Sequence, residues 1–389
     1  MLRDFSISAL STGLLAAFVG FSSSFAIVLA GLTAVGATDA QAASGLMFAS
    51  IAMGLCSIWF AIATRTPAAV AWSTPGAAFL AASPILAGGF AEAVGALILC
   101  AAAIVLTGIV PALAKAVAAI PKPIASALLA GVIFKLCLFP ALALGEIPSL
   151  VLPVLCAWGL GLMLHRLAAV PMAVAAFILV LIFAVPAPEG TGAQLAAALV
   201  PQPEFVMPVF NWGSALSVAL PLYLVTMAGQ NIPGFTVLEL HGYAADRSRL
   251  LRRTGMASLV TAPFGAIPVN MSAITAAMMS GEDANPDQAK RYWSTIVCGT
   301  CYVLLGVLGG FVTAAVSFAP TLLVTSVAGL ALFPALIASL KSAFEDKIGL
   351  EPPAATFILT ASSMSLLGIS SAFWGLLAGG VLWFGLRKR

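Results

Sequence analysis

The sequence predicts an all-α membrane protein of fourteen transmembrane segments, built as a 7+7 inverted repeat with short strand and half-helix breaks in segments 3 and 10. Three observations predict this fold. The composition is 61% hydrophobic and 8% charged, whereas soluble domains carry about 25% charged residues. Apolar runs long enough to cross a bilayer recur along the chain, with the Lys and Arg residues between them. Two interrupted apolar segments lie about half a chain apart.

The segments follow from windows of about 20 mainly apolar residues, the length that crosses the hydrocarbon of a bilayer. In the first half they lie near Thr12–Leu32, Ser44–Ala63, Ala68–Pro84, Glu92–Val110, Pro123–Ala143, Leu150–Leu164 and Ala169–Val185. In the second half they lie near Gly213–Leu238, Leu250–Phe264, Ile267–Ser280, Tyr292–Val316, Thr321–Leu340, Pro353–Leu367 and Ser370–Leu386. The N-terminal run also fits a secretory signal peptide, an alternative that the later apolar segments disfavour.

The basic residues predict the orientation of these segments. An even number of segments places both termini on one side of the membrane, and of the 17 Lys and Arg residues only Lys135 does not fall on that side. The others are Arg3, Arg65, Lys115, Lys122, Arg166, Arg247, Arg249, Arg252, Arg253, Lys290, Arg291, Lys341, Lys347, Arg387, Lys388 and Arg389. Basic loops face the cytoplasm, so we expect cytoplasmic termini in the inner (plasma) membrane. No basic patch is interleaved with aromatic residues, so nucleic acid is not an expected partner.

Two pairs of similar stretches predict the repeat. Aligning "TPAAVAWSTPGAAF" with "APFGAIPVNMSAIT" pairs Pro67 with Pro263, a spacing of 263 − 67 = 196. Aligning "ALLAGVIF" with "TSVAGLALF" pairs Gly131 with Gly329, a spacing of 329 − 131 = 198. Both spacings are close to half the chain. Since seven segments per half is an odd number, the halves must be inverted, as in many secondary transporters.

The two breaks predict an anion site. Ser73 or Thr74 is expected to cap the first half-helix, with Pro75 in its first turn, and Asn270 to cap the second. Two helix N-termini would bring two positive dipole ends together without a buried Lys or Arg. The alternative is that these Pro and Gly residues only kink packed helices.

A pair of amides lies beside a further break in segment 8. Gln230 and Asn231 precede Pro233-Gly234, and their NH₂ groups either donate to a carboxylate or form hydrogen bonds between helices. Pro233 has no N–H, which predicts a free carbonyl at Gly229.

Several stretches resemble the signature segments of the benzoate:proton symporter family, BenE. They are "FVGFSSSFAIVLA", "AWSTPGAAFLAAS", "TMAGQNIPGFTVLELHGY" and "AITAAMMSGEDANPDQAKRYWSTIVCG", and the resemblance covers essentially the whole chain. BenE proteins are similar in fold to the uracil symporter and the sulfate permeases. This resemblance implies a core domain of residues 1–114 (segments 1–4) and 191–316 (segments 8–11). It implies a gate domain of residues 115–190 (segments 5–7) and 317–389 (segments 12–14), and a homodimer.

The resemblance also implies a substrate site between segments 3 and 10, beside segments 1 and 8. Its residues would be Ser22, Ser23, Ser24, Trp72, Ser73, Thr74, Gly76, Gln230, Asn231, Asn270, Met271 and Ser272. Phe21, Phe25, Trp72 and Phe79 could stack on a benzene ring or simply pack. Nucleobase symporters place carboxylates where this chain has Gly229, Gln230 and Asn270, and this difference favours an anionic substrate.

The proton carrier is not identified by the resemblance. Three ionisable residues are candidates, each with a structural alternative. Glu92 is either a proton relay or a solvated carboxylate that favours its helix start. Lys135 is either functional or extends to the interface or a partner subunit. His241 titrates near neutral pH but its loop position also fits a solvated side chain.

These observations predict a secondary transporter that takes up benzoate or a similar small aromatic carboxylate with protons by alternating access. The alternatives are a carrier of another anion or a nucleobase, and an anion channel. An intramembrane enzyme has little support, because no His/Glu metal cluster and no Ser–His or Asp pair lies within the segments. No cofactor or metal is expected.

Overall fold

The computed structural model describes residues 4–165, 167–188, 190–345, 349–366 and 369–386. Some charges used to predict the orientation lie outside these ranges, namely Arg3, Arg166, Lys347, Arg387, Lys388 and Arg389.

The described residues are mainly helical. The first half contains α1 (Ile7–Ser22), α2 (Phe25–Ala34), α3 (Asp39–Thr64), β1 (Val70–Trp72), α4 (Thr74–Ala81), α5 (Gly89–Ile109), α6 (Pro111–Ala118), α7 (Lys122–Glu146), α8 (Pro148–Leu164) and α9 (Ala169–Phe183). The connection between the halves contains α10 (Thr191–Ala197). The second half contains α11 (Trp212–Ser214), α12 (Leu220–Thr226), α13 (Ile232–Leu240), α14 (Arg247–Thr261), β2 (Val269–Met271), α15 (Ala273–Ser280), α16 (Tyr292–Val307), α17 (Gly309–Ser317), α18 (Thr321–Ala343), α19 (Glu351–Ala361), β3 (Ser365–Leu366), β4 (Ile369–Ser370) and α20 (Ser371–Leu386).

Apolar helices of spanning length confirm a membrane protein. Among the described residues, six helices are long and apolar enough to cross a bilayer, and a seventh results if the pair bent by 56° around Leu308 is one span. One of the six, Trp212–Leu240, runs through two π-helical turns, Ala215–Ala219 and Met227–Asn231. Every predicted segment contains a described helix, and segments 3 and 10 are broken as expected. The count of fourteen crossings stays a prediction.

The helices pack in two groups. In one group, α3 packs on α16 and α17, α5 on α14, and α2 on α4. In the other, α7 packs on α18 and α19, α19 on α20, and α8 on α9. Helix α7 also touches α4 and α12, which joins the two groups. The assignment of these groups to a moving core and a fixed gate stays a prediction.

The contact between α3 and α16 depends on two glycines that face each other. A Cβ at Gly54 would lie 2.5 Å from the carbonyl oxygen of Gly299, and a Cβ at Gly299 would lie 2.6 Å from that of Gly54. Small residues allow helix backbones to approach closely in a membrane, where dispersion contacts rather than hydrophobicity drive association.

The Gly299→Ala variant should therefore separate α3 from α16. We expect a lower apparent melting temperature of the purified protein in detergent, because the new methyl group meets backbone, and overpacking costs about 1–3 kcal/mol. Gly380→Ala on α20 is the matched control, since a Cβ there meets nothing within 4 Å. Equal melting temperatures for the two variants would contradict this account of the contact.

Candidate functional site

The two broken segments are joined by a short antiparallel sheet. Strand β1 pairs with β2 in the register Val70↔Met271, Ala71↔Asn270 and Trp72↔Val269. The pairing extends by one hydrogen bond at each end, from Ser73 N to Pro268 O (2.8 Å) and from Ser272 N to Ala69 O (3.0 Å). Non-helical backbone within a membrane protein must find its partners inside the protein. Here the backbone N–H and C=O groups at each break form hydrogen bonds with those at the other break.

Two serines close the outer edges of this strand pair in the same way. Ser57 on α3 accepts a hydrogen bond from Val70 N (3.0 Å), and Ser258 on α14 accepts one from Val269 N (2.9 Å). Both side chains are buried. Sequence reasoning missed them. The available signal was a serine in the last two turns or so of each preceding helix, at a spacing of 258 − 57 = 201 that resembles the repeat.

Each strand leads directly into a half-helix capped by a serine. Ser73 Oγ accepts from Gly76 N (3.1 Å) at the start of α4, and Pro75 lies in the first turn, which confirms both predictions. Ser73 also bonds to Thr226 Oγ1 (2.7 Å), a residue that the sequence analysis did not select. Ser272 Oγ accepts from Thr275 N (3.4 Å) at the start of α15.

The prediction of Asn270 as the second cap was wrong. Pairing with Ala71 keeps Asn270 extended in β2, so the helix begins only after Ser272. The two caps, Ser73 and Ser272, lie 272 − 73 = 199 residues apart. The spacing of 196 that was predicted by aligning Pro67 with Pro263 is therefore three residues too short. The prolines used for that alignment have different roles. Pro263 lies in a 3₁₀ turn, whereas Pro67 lies in the irregular lead into β1.

Two buried asparagines fasten the strand pair to its surroundings. Asn231 Oδ1 accepts from Met271 N (3.0 Å), and its Nδ2 lies 3.3 Å from Met227 Sδ. In the amide orientation that matches donors to acceptors, Asn270 Oδ1 accepts from Ser73 N (3.2 Å) and Nδ2 donates to Met271 O (3.0 Å). Both side chains are fully buried. The amides of both residues are used in hydrogen bonds within the protein. For Asn231 this favours the predicted role in bonding between segments over donation to a substrate carboxylate.

Gln230 differs from its neighbour Asn231. It is partly exposed and forms no side-chain hydrogen bond with another described residue. It lies in the π-helical turn Met227–Asn231, and such turns often occur at functional sites. The preceding Gly229 lies beside the first turn of α4, where a Cβ would be 3.3 Å from Pro75 Cγ. The backbone of this turn at Gly229 is therefore close to the N-terminus of α4.

Two more predicted residues serve packing around the half-helices. A Cβ at Gly76 would lie 2.7 Å from Leu222 Cδ1, so this glycine lets α12 approach α4. Met271 is buried with its Cβ against Gly234, where an added Cβ would lie 2.6 Å away. Thr74, in the first turn of α4, is partly exposed, and its hydroxyl bonds to no other described residue.

Segment 1 supplies serines and aromatic rings at the break between α1 and α2. Trp72 Nε1 donates to Ser24 Oγ (2.7 Å), and Ser23 Oγ donates to Gly20 O (3.2 Å). Ser22 Oγ is buried without a partner among the described residues. The Phe21 ring lies 5.2 Å from that of Trp72 and 5.8 Å from that of Phe25. The expected aromatic cluster therefore forms beside β1, without Phe79.

The three proton-carrier candidates lie in different surroundings. Glu92 is 4% exposed, and Gly88 N donates to its Oε2 (2.7 Å). It is therefore a helix-start carboxylate as predicted, but a buried one. Lys135 is exposed on the outside of α7, on the same face as the exposed Leu138 and Leu142. His241 Nδ1 donates to Val237 O (2.8 Å) and caps the end of α13.

Two cavities lie away from the strand pair. One of about 70 Å³ separates the end of α4 from the β3–β4 hairpin and includes Phe79, Ser83, Ser217 and Ser370. Ser370 Oγ donates to Ser217 O (2.6 Å) at its edge. The other, an open groove of about 450 Å³, lies between α5 and the start of the Trp212–Leu240 helix. Neither is lined by Gln230 or by the serine caps.

Comparison with known proteins identifies relatives along the whole chain. The family described as "Benzoate membrane transport protein" (BenE) matches residues 3–384. The "Inner membrane protein YdcO" of Escherichia coli (strain K12) is 36% identical over 384 residues, covering 98% of this chain and 96% of that protein. The "Benzoate membrane transport protein" of Acinetobacter baylyi is 33% identical over 390 residues, covering 99% of this chain and 97% of that protein.

Solved structures of anion transporters share the fold. The transmembrane domain of the cyanobacterium bicarbonate transporter BicA superimposes with a TM-score of 0.59 at 14% identity, covering 96% of this chain and 97% of that chain. The murine anion transporter Slc26a9 in its inward-facing state gives a TM-score of 0.62 at 14% identity, covering 99% of this chain and 69% of that chain. At such identities the similarity shows a common fold only.

The different hydrogen bonding of Gln230 and Asn231 leads to opposite expected effects. Asn231→Leu should lower the thermal stability of the detergent-purified protein. It leaves Met271 N unsatisfied in a buried place, which costs about 1–3 kcal/mol. Gln230→Leu should keep wild-type stability, because the Gln230 amide bonds to no other described residue. Thermal unfolding would be measured on both variants. A stable Asn231→Leu protein would contradict the structural role.

Proposed function

The chain belongs to the benzoate membrane transport protein family, and we propose that it takes up benzoate or a similar small aromatic carboxylate together with protons by alternating access. The carboxylate would bind at the β1–β2 pair, between the N-termini of α4 and α15. The single observation that carries this proposal is the placement of two serine-capped helix N-termini at the two ends of one strand pair.

The electrostatics of this place favour a small anion. Each helix N-terminus carries about half a positive charge from its aligned peptide dipoles, and free N–H groups there bind carboxylates. Only two charged side chains are buried among the described residues, Glu92 and Arg291. Arg291 Nη1 donates to Ser280 O (2.6 Å) at the C-terminal end of α15, away from the caps. The dipoles therefore act in a neutral surrounding.

Uncommitted polar groups would complete the carboxylate site. The amide of Gln230 and the hydroxyl of Thr74 are both partly exposed and free of described partners. We assign the donor role to these two and a supporting role to Asn231 and Asn270, whose amides are used within the fold. Trp72 and Phe21 would line the aromatic ring of the substrate. Ser22 Oγ offers one further donor from segment 1.

Glu92 is our candidate for the proton carrier. It is the single buried carboxylate among the described residues, and no described Lys or Arg lies in ion-pair distance of it. An ionisable side chain within a membrane segment is by default a functional hypothesis. Lys135 is exposed on the outside of α7 and His241 caps the end of α13, so both fit the role of proton carrier less well than Glu92 does.

The wider arrangement belongs to the same proposal. The core domain (residues 1–114 and 191–316) would carry the site past the gate domain (115–190 and 317–389), in fourteen segments with cytoplasmic termini. The protein would work as a homodimer in the inner membrane. Another small anion and a channel mechanism are the competing possibilities, and the following experiment distinguishes them.

Proteoliposomes containing the purified protein should accumulate labelled benzoate above its external concentration when the lumen is made alkaline relative to the outside. A protonophore should abolish the accumulation, because the proton gradient is its source of free energy. Equilibration without accumulation would indicate a channel. Accumulation of nitrate or bicarbonate but not benzoate would overturn the assigned substrate.

Glu92→Gln should uncouple the transporter. The amide oxygen still accepts from Gly88 N, so the helix start is kept, while the proton site is lost. We expect no pH-driven accumulation but preserved exchange of labelled for unlabelled benzoate. Glu204→Gln, which removes an exposed carboxylate, is the matched control. Wild-type accumulation by Glu92→Gln would exclude Glu92 as the carrier and leave the benzoate site untouched.

A further inference from the structure

Two arginines of α14 share one tryptophan ring of α3. The guanidinium carbon of Arg249 lies 5.1 Å from the centre of the Trp59 ring, and that of Arg253 lies 4.8 Å from it. The two arginines are one helical turn apart, so their charges repel each other. Stacking on one aromatic ring holds them together in spite of that repulsion.

These guanidinium groups have no described counter-ion. The described ion pairs of α14 and its surroundings join Arg247 to Glu239 (2.8 Å), and none includes Arg249, Arg252 or Arg253. The nearest acid in sequence, Asp246, accepts from the backbone N–H of Arg249 (3.0 Å) as the cap of α14. Two planar donor groups are thus left to bind an anion from outside the described chain. Arginine pairs bidentately with phosphate oxygens.

An apolar surface begins next to the two arginines, toward the C-terminus of α14. On α14, Met256 (49% exposed) and Val260 (66% exposed) follow Arg249 and Arg253 on the same helix face. On α3, Leu55 (55% exposed) lies one helical turn before Trp59 in the chain. The two helices pack against each other and run in opposite directions, since Gly45 lies against Gly265 and Trp59 against Arg249 and Arg253, so these apolar side chains lie at similar depth. A free phosphate ion would not use this surface, whereas the acyl chains of a lipid would.

We propose that Trp59, Arg249 and Arg253 form a binding site for the phosphate of an anionic phospholipid, with its acyl chains along Leu55, Met256 and Val260. Tryptophan is typical of the membrane interface, and each basic residue near an anionic membrane surface adds about 1 kcal/mol of attraction. This site is independent of the substrate site and of the proposed transport activity.

Purified full-length protein would be titrated in detergent with phosphatidylglycerol or phosphatidylcholine, and bound lipid would be counted by native mass spectrometry. The double variant Arg249→Gln/Arg253→Gln should bind phosphatidylglycerol on the order of tenfold more weakly than the wild type. Lys115→Gln/Lys341→Gln removes the same charge from exposed residues elsewhere and should bind as the wild type does. An equal loss of phosphatidylglycerol binding in both double variants would show that general surface charge causes the effect. That result would overturn the proposed site.

Further variants keep the proposal testable if the double variant is unstable. Arg249→Lys/Arg253→Lys keeps both charges but loses the planar donors, and Trp59→Leu loses the ring; both should bind phosphatidylglycerol several-fold more weakly. Inorganic phosphate at millimolar concentration should not displace the lipid. Displacement would assign the site to a soluble anion. A change of oligomeric state in the variants with unchanged lipid binding would assign the face to a second copy. Either result would overturn the proposal.

Discussion

The fold depends on the pairing of two strands at the point where two helices are broken. A helix that stops inside hydrocarbon leaves N–H and C=O groups without water, and each unsatisfied group costs several kcal/mol. Strands β1 and β2 remove that cost by bonding to each other, and Ser57 and Ser258 close their outer edges. Because the breaks are satisfied in this way, two helix N-termini can remain inside the protein.

The same hydrogen bonds divide the polar side chains into two kinds. Asn231 and Asn270 are fully buried, and their amides form hydrogen bonds with the backbone of the strand pair and of the residues next to it. Thr74 in the first turn of α4 and Gln230 in the turn after Gly229 have no hydrogen-bond partner for their side chains among the described residues. A neutral site of this kind would bind a carboxylate through dipoles and uncharged donors and would release it more readily than a site built on Lys or Arg, which suits a carrier that must let go of its substrate.

The sequence predicted the segment positions closely because membrane helices carry a strong compositional signal. It also predicted Ser73 and Pro75 at the first half-helix, since caps and first-turn prolines are local features. Asn270 was misassigned because its conformation depends on Ala71, a residue about 200 positions away. The same dependence on a distant partner hid Thr226, which bonds to Ser73 at a separation of 153 residues. Ser57 and Ser258 bond to strands only 13 and 11 residues further along, and their role appears only once those strands are in place.

The sequence by itself therefore determined that this chain is a membrane protein with two interrupted segments in matching positions, because hydropathy, proline and charge are properties of each residue and its near neighbours. Only the tertiary structure decided which of two adjacent amides, Gln230 or Asn231, is used in a hydrogen bond within the described part of the chain. That choice depends on Met271 N lying 3.0 Å from Asn231 Oδ1, a distance set by the packing of one broken segment against another and by nothing within the stretch that contains the two amides.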